Sequence, residues 1–305
     1  MTNYADNAAT TKMSRTAIDA MLPYFEHIYG NPSSLHTVGQ NAAEALDEFR
    51  GTIAKTLGVT AQEIYFTSGG SESDNWAIKG VCRALKKKGI YIGTHILSCG
   101  EIRDRDFADI KEDIVLLDAL EMPVLSEEKR NEMLKHIEKA AAEGDSVGGV
   151  LSTAVIGVPE GVGEPWFDTV ESLLSHALFS IPAVKGVEFG AGFGYADMRG
   201  SQANDPFYND NGTIRTATNN CGGILGGITN GMPIIFRCAV KPTPSIYKEQ
   251  KTIDMRNGEN TTLQIQGRHD PAIVHRARVV VDSITALTLI DLLCQKYGAD
   301  KLIEK

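Results

Sequence analysis

Three stretches of this 305-residue chain carry residue types spaced for chemistry. Lys241-Pro242-Thr243-Pro244-Ser245 sets a cation and two hydroxyls on a backbone fixed by two prolines, and Gly267-Arg268-His269-Asp270-Pro271 offers an anion binder and a carboxylate within three residues. Such a pair suits a phosphate or the edge of a planar cofactor. The competing reading of Arg268-His269-Asp270 is a surface ion cluster worth little. Asn219 to Gly231 holds five glycines, which let a backbone approach something flat or anionic very closely. Ile224, Leu225 and Ile228 inside it argue against a merely flexible loop, leaving a ligand-facing or a tightly packed backbone. Arg199-Gly200-Ser201-Gln202-Ala203-Asn204-Asp205 is a polar turn after an apolar strand, and alone it reads as a surface loop. Nearer the start, Phe66-Thr67-Ser68-Gly69-Gly70-Ser71 is a Gly-Gly turn opening a helix, a form that cradles phosphate but often serves turn geometry only. His27, His36 and His275 read as structural, and His269 as solvent-facing.

The elements that must position these residues follow from periodicity. Gln40–Leu57 and Ser71–Lys88 are expected to be amphipathic helices, the first ended by Gly58, with Glu63–Thr67 a short strand between them. Further strands are expected within Gly89–Ile96, Asp145–Val158, Ala183–Gly190 and Met232–Val240. Further helices are expected within Ser126–Gly144, Trp166–Phe179 and Val274–Tyr297. Interleaved strands and helices make the class α/β or α+β.

Composition bounds the rest. Hydrophobic content of 42% with 23% charged residues is that of an ordinary globular protein. Residues 1–88 balance nine basic against nine acidic residues, so the net charge of −9 falls wholly on the remainder. An acidic chain without a basic cluster argues against nucleic acid as a partner. No signal peptide opens the chain, and Val279–Leu293 is too interrupted by polar residues for a membrane span. Five scattered cysteines without C-x-x-C spacing suit free thiols in the cytoplasm and give no metal site.

Two resemblances then attach to the motifs. Tyr4-Ala5-Asp6-Asn7-Ala8-Ala9-Thr10-Thr11, Gly30-Asn31-Pro32-Ser33-Ser34-Leu35-His36 and Phe66 through Asn75 resemble the opening of cysteine desulfurases, of the class V aminotransferase family. The resemblance implies that residues 1–88 are a helix and strand fragment of a pyridoxal-phosphate (PLP) transferase fold. Gly70 and Ser71 would hold the phosphate of PLP, here a vestige, since no segment matches the family's Schiff-base lysine motif or its cysteine loop.

From about Gly89 onward the chain resembles chorismate synthases. Gly161-Val162-Gly163-Glu164-Pro165, Ala183 through Glu188, Gly200-Ser201-Gln202, Gly222 through Ile228, Lys241-Pro242-Thr243 and Gly267 through Pro271 stand in family order. The resemblance implies that residues 89–305 form one half of a β-α-β sandwich. It implies a lyase that removes phosphate and a proton from 5-enolpyruvylshikimate 3-phosphate, giving chorismate on the route to aromatic amino acids with reduced FMN. By motif, Gln202, Ala203, Gly226, Lys241, Pro242, Thr243, Pro244, Ser245 and Arg268 would line the flavin site. Asp270 would be the carboxylate that helps deprotonation. Cys221 departs from the asparagine usual in relatives. The family's Gly-Glu-Ser-His-Gly motif, its second catalytic histidine and its Arg-Ser-Ser flavin contact are not found, so these residues alone are expected to make little chorismate. Relatives of both families assemble as oligomers, which leaves a homo-oligomer open. The alternatives are a desulfurase-type fragment, and a non-catalytic fusion or product of misjoined genes meeting at Lys86-Lys87-Lys88-Gly89.

Overall fold

The computed structural model describes residues 11–267 and 269–299. The Tyr4–Thr10 stretch and Arg268 lie outside the described residues. The chain divides into two compact units, residues 1–73 and 74–305.

In the first unit, α1 (Arg15–Glu26) starts at Ser14, whose Oγ accepts the Ala17 N–H, and α2 (Thr37–Leu57) stops at Gly58, which turns left-handed at φ 72°. Arg50 Nε donates to the Ile64 carbonyl, bringing the chain after α2 back along it. The strand expected at Glu63–Thr67 does not form. Ala61–Glu63 is a 3-10 turn and residues 64–67 enter no ladder. The β-forming residues there are right in type, but a strand exists only where another strand accepts its hydrogen bonds. Among the described residues, the first unit is therefore helical. α3 (Gly70–Lys87) follows and contributes Leu85 to the core of the second unit.

The second unit is built on a five-stranded antiparallel sheet. Its elements are β1 (Tyr91–Cys99), β2 (Ile102–Arg103), α4 (Ile110–Asp118), α5 (Glu127–Ala142), β3 (Gly149–Ile156), α6 (Val170–Phe179), β4 (Val184–Phe189), α7 (Gly200–Ala203), β5 (Phe207–Asp210), β6 (Thr213–Thr216), β7 (Ile224–Leu225), β8 (Ile228–Thr229), β9 (Ile234–Val240), β10 (Gln250–Ile253), β11 (Asn260–Leu263) and α8 (Val274–Tyr297). The sheet order is β2-β1-β3-β9-β4, and three separate hairpins pair β5 with β6, β7 with β8 and β10 with β11. The class is mixed α/β, as expected.

Register assigns the two faces. Ile92, Val155 and Ile234 form one cross-strand row, and Ile96, Leu151, Cys238 and Val187 another on the same face. α8 lies on that face, since Thr94 Oγ1 meets Asp282 Oδ1 at 2.6 Å, and Val281, Leu289 and the α6 residues Leu174 and Leu178 complete its core. The opposite face carries Gly93 and the polar row His95, Ser152, Arg237 and Glu188. α4 covers part of it, as a Cβ on Gly93 would lie 2.7 Å from the Ile114 side chain.

The helix expected from Trp166 begins only at Val170. Thr169 Oγ1 accepts the Ser172 N–H as an N-cap, Trp166–Asp168 is a 3-10 turn, and Phe167 is 85% exposed. No helix among the described residues is long and apolar enough to cross a membrane.

Candidate functional site

β9 delivers the first candidate segment. Lys241, just past its end, donates its N–H to the Ala183 carbonyl at 2.9 Å and fixes where Lys241–Ser245 leaves the sheet. Residues 144–148 then hold this segment and the 267–271 segment together. Ser146 Oγ donates to the Thr243 carbonyl at 2.7 Å, and the Val147 N–H donates to the Pro271 carbonyl at 2.8 Å. Gly148 is bare for a reason: a Cβ there would sit 2.6 Å from the Val240 oxygen and 2.9 Å from Pro242 Cδ. Tyr247 adds a third tie, its N–H on the Gly144 carbonyl, its hydroxyl on the Gly267 carbonyl and its ring edge-on to His269 at 4.6 Å.

Asp270 stands at the entry to α8. Its Oδ1 accepts the Ala272 N–H at 3.1 Å, and its Oδ2 lies 3.2 Å from Arg276 Nη1. Three polar atoms of this cluster, Thr243 Oγ1, His269 Nε2 and Asp270 Oδ2, are buried without a hydrogen-bond partner. Folded chains seldom leave such atoms unmet except where something else is to meet them. Lys241, two residues before Thr243, is exposed. One cation, two hydroxyls, an imidazole and a carboxylate around orphaned acceptors and donors form a set that fits a phosphorylated, hydrogen-bonding ligand.

Gln202, Ala203 and Gly226 lie elsewhere. Asn220 Nδ2 donates to the carbonyls of Gln202 and Ala203 at 3.1 and 3.3 Å, while Ala191 donates to the Asn220 carbonyl. These contacts tie α7 to the end of β4, which the Gly190 N–H joins to the Ile235 carbonyl near the start of β9. Gln202's own side-chain oxygen accepts the Arg199 N–H. In the glycine run, Gly222 and Gly223 take positive φ and press against the β9 start, where a Cβ would meet the Ile235 and Pro233 oxygens at 2.7 and 2.5 Å. Gly226, at the turn between β7 and β8, faces open space. Close packing thus accounts for the first two glycines and not for Gly226. From Ile235 to Lys241 is six strand residues, roughly 20 Å. The proposed flavin residues therefore fall into two groups at opposite ends of β9.

Between α7 and the glycine run, Asp205 accepts the N–H groups of Asn220 and Cys221 and the Thr218 hydroxyl. Burial raises this carboxyl, but those hydrogen bonds outweigh burial and hold it below its usual range. Cys221 Sγ accepts the Tyr195 hydroxyl at 3.2 Å; burial foremost, then Asp205, pushes the Cys221 thiol up against that bond.

At Gly70 and Ser71 the phosphate reading meets an internal competitor. Glu72 takes both the Ser68 N–H and the Ser68 hydroxyl at 2.7 Å, so the chain's own carboxylate caps that turn.

Sequence reasoning missed the clamp at residues 144–148 and a buried pair on the outer sheet face. His95 and Asp104 are wholly buried, with His95 Nδ1 3.4 Å from Asp104 Oδ2. Asp104 also accepts the N–H groups of Leu125 and Ser126 at 2.6 and 3.1 Å, which orients the start of α5. The only signal was a histidine inside an apolar strand, which does not name its partner.

Comparison with known proteins places this geometry. The family model for chorismate synthase matches residues 73–294. The chain belongs to the chorismate synthase family. Among curated chorismate synthases, that of Dehalococcoides mccartyi is 52% identical over 184 residues, covering 60% of this chain and 50% of the relative. That of Thermococcus kodakarensis is 43% identical over 222 residues, covering 72% of this chain and 61% of the relative. A crystal structure of chorismate synthase superposes with a TM-score of 0.62 at 30% identity, covering 75% of this chain and 64% of that one. The chain thus spans about half to three-fifths of the length of these curated chorismate synthases. The chorismate synthase match takes in every strand of the sheet and all but the last residues of α8. The aminotransferase class V model matches residues 3–96 and overlaps it over residues 73–96.

Proposed function

We propose that this chain is a chorismate-synthase-type lyase lobe. Its reaction would remove phosphate and a proton from 5-enolpyruvylshikimate 3-phosphate to give chorismate, with reduced FMN as cofactor. The observation that carries the reading is the meeting of Lys241–Ser245 with the 267–271 segment around Ser146–Gly148, with Thr243 Oγ1, His269 Nε2 and Asp270 Oδ2 left unmet. These residues fit the group. Lys241 supplies the cation for its phosphate, and Thr243 and Ser245 supply hydroxyls. When bound, reduced FMN would supply electron density to the substrate as its phosphate departs, without net redox change.

The chain's own part is proton handling and orientation. Asp270 is held at Oδ1 by the Ala272 N–H and faces Arg276 Nη1 at Oδ2, and Oδ2 is the oxygen that would take a proton from substrate within hydrogen-bond reach. Arg268 is assigned to the same site by motif. Gln202, Ala203 and Gly226, roughly 20 Å away along β9, are assigned to the flavin of a second copy, so the working form is a homo-oligomer.

The seam between residues 1–88 and 89–305 is part of the same proposal; the two family matches overlap across it, over residues 73–96. A cytoplasmic location is inferred from the five free cysteines.

Flavin titration of the purified 305-residue protein, followed by fluorescence quenching, tests the site. FMN is expected to bind and Lys241→Ala to weaken it at least tenfold. Unaltered affinity in Lys241→Ala would sink the assignment. An anaerobic assay with reduced FMN and 5-enolpyruvylshikimate 3-phosphate is expected to show slow release of phosphate at most.

A further inference from the structure

A cavity lies on the outer sheet face, at the opposite end of β9 from Lys241. Its volume is about 230 Å³, and Ser152, Arg237, Asp106, Phe107 and Asn220 are among its walls. Of these, Asn220 alone touches residues assigned to the flavin, through its bonds to the Gln202 and Ala203 carbonyls. The cavity holds one half-buried guanidinium, and what surrounds that cation decides what could enter.

Arg237 Nη1 donates to Glu188 Oε1 at 2.9 Å across neighbouring strands, so one side of its fork is firmly held. The other side is not. Nη2 stands 3.6 Å from Asp106 Oδ1, too far for a hydrogen bond. Asp106 itself is 59% exposed and rests against Arg103 Nη2 at 3.4 Å. A fork with one arm engaged and one arm facing a loosely held carboxylate is a position a ligand's carboxylate can take.

The local charges select among ligands. Arg237 and Arg103 alternate with Glu188 and Asp106, so the mouth is neutral overall. A lone anion drawn to Arg237 meets two carboxylates, and a lone cation drawn to Asp106 meets two guanidiniums. A molecule carrying both charges a few ångströms apart satisfies each partner and adds no net charge. The cavity volume suits a small one.

We propose that this cavity binds a small zwitterion of the α-amino acid class, its carboxylate on Arg237 and its ammonium on Asp106. Phe107 lines the site, its ring packed edge-on to the buried His95 at 4.7 Å. Ser152, opposite both His95 and Arg237 in register, floors it.

Isothermal titration of the full-length protein with L-alanine tests the proposal, with acetate and methylammonium as half-molecule controls. L-alanine is expected to bind with a Kd on the order of 1 mM, and neither half-molecule should bind at the same concentrations. Arg237→Met and Asp106→Asn should each weaken L-alanine at least tenfold. Asp106 is on an exposed loop, so Asp106→Asn remains readable should Arg237→Met fail to fold. The proposal is overturned if L-alanine gives no saturable heat, if acetate binds as tightly as L-alanine, or if Asp106→Asn binds like the parent.

Discussion

Thr94 Oγ1 and Asp282 Oδ1 lie 2.6 Å apart and tie the first long strand of the sheet to the closing helix. Thr94 also shares a 2.7 Å hydrogen bond with Thr153 on the next strand. Arg278 Nε is 3.3 Å from the other Asp282 oxygen. The tie thus places a carboxyl where the sheet, α8 and α3 meet, beside Cys82, Lys86 and Asp118.

Burial pushes Asp282 up to about 6, against the pull of Thr94 and Arg278 and with a smaller push from Asp118. The folded protein therefore keeps a proton on Asp282 over a pH range in which the unfolded chain, at the ordinary 3.8, has lost it. Stability from this group is present below pH 4 and is lost as pH rises to about 6. Relative to Asp282→Asn, the parent should lose on the order of 2 kcal/mol between pH 4.5 and 7.5. Urea unfolding of both proteins at the two pH values measures it. A constant difference between them would show that the carboxyl titrates normally.

Asp104 should behave with the opposite sign. Burial raises it, but the His95 contact and the N–H groups of Leu125, Arg105 and Ser126 outweigh burial and lower it. Its contribution is present above the ordinary carboxylate range and fades as pH falls through its lowered value. Asp104→Ala strands His95 and two N–H groups at the head of α5, at a cost of about 2–4 kcal/mol. Thermal melts at pH 7 should show the loss, and hydrogen exchange should show it centred on α5. Protection unchanged in α5 would refute the capping role.

Two of the five thiols report on the sheet. Cys99 and Cys238 are wholly buried, and burial pushes them up to about 11 and 12. Thiolate, not thiol, attacks disulfide reagents. Both should resist Ellman's reagent at pH 8 in the native protein and react after denaturation. Peptide mapping after a native pulse checks this. Rapid labelling of Cys238 would mean that β9 is not the interior strand flanked by β3 and β4.

Most of the second unit could be read from the sequence because its elements are amphipathic and punctuated. α8 spans Val274–Tyr297 as its apolar spacing requires, and Gly298 ends it. The β5–β6 hairpin was legible but overlooked. Asn211-Gly212, both at positive φ, is the two-residue turn that joins twisted antiparallel strands. Trp166–Phe179 misled because Phe167 keeps the apolar spacing while Thr169 breaks the helix. Residue type marked Lys241–Ser245 and Asp270 as chemical. Ser146 could not be marked in that way, because its bond to Thr243 spans 97 residues and depends on the β3–β9 register.

That register makes the last prediction the sharpest for the proposed site. Ser146→Ala removes one hydrogen bond to the Thr243 carbonyl and should cost about 1 kcal/mol. Gly148→Val is harsher, because the new Cβ would lie 2.6 Å from the Val240 oxygen, a backbone atom held in the sheet. The strand cannot yield without breaking its ladder, so Pro242 and the segment after it must move. Such overpacking costs about 1–3 kcal/mol, and it displaces Lys241 and Thr243 from the 267–271 segment. FMN affinity should therefore fall modestly in Ser146→Ala and by at least tenfold in Gly148→Val, while far-ultraviolet circular dichroism stays near that of the parent. A folded Gly148→Val protein with parental flavin affinity would separate the clamp from the site.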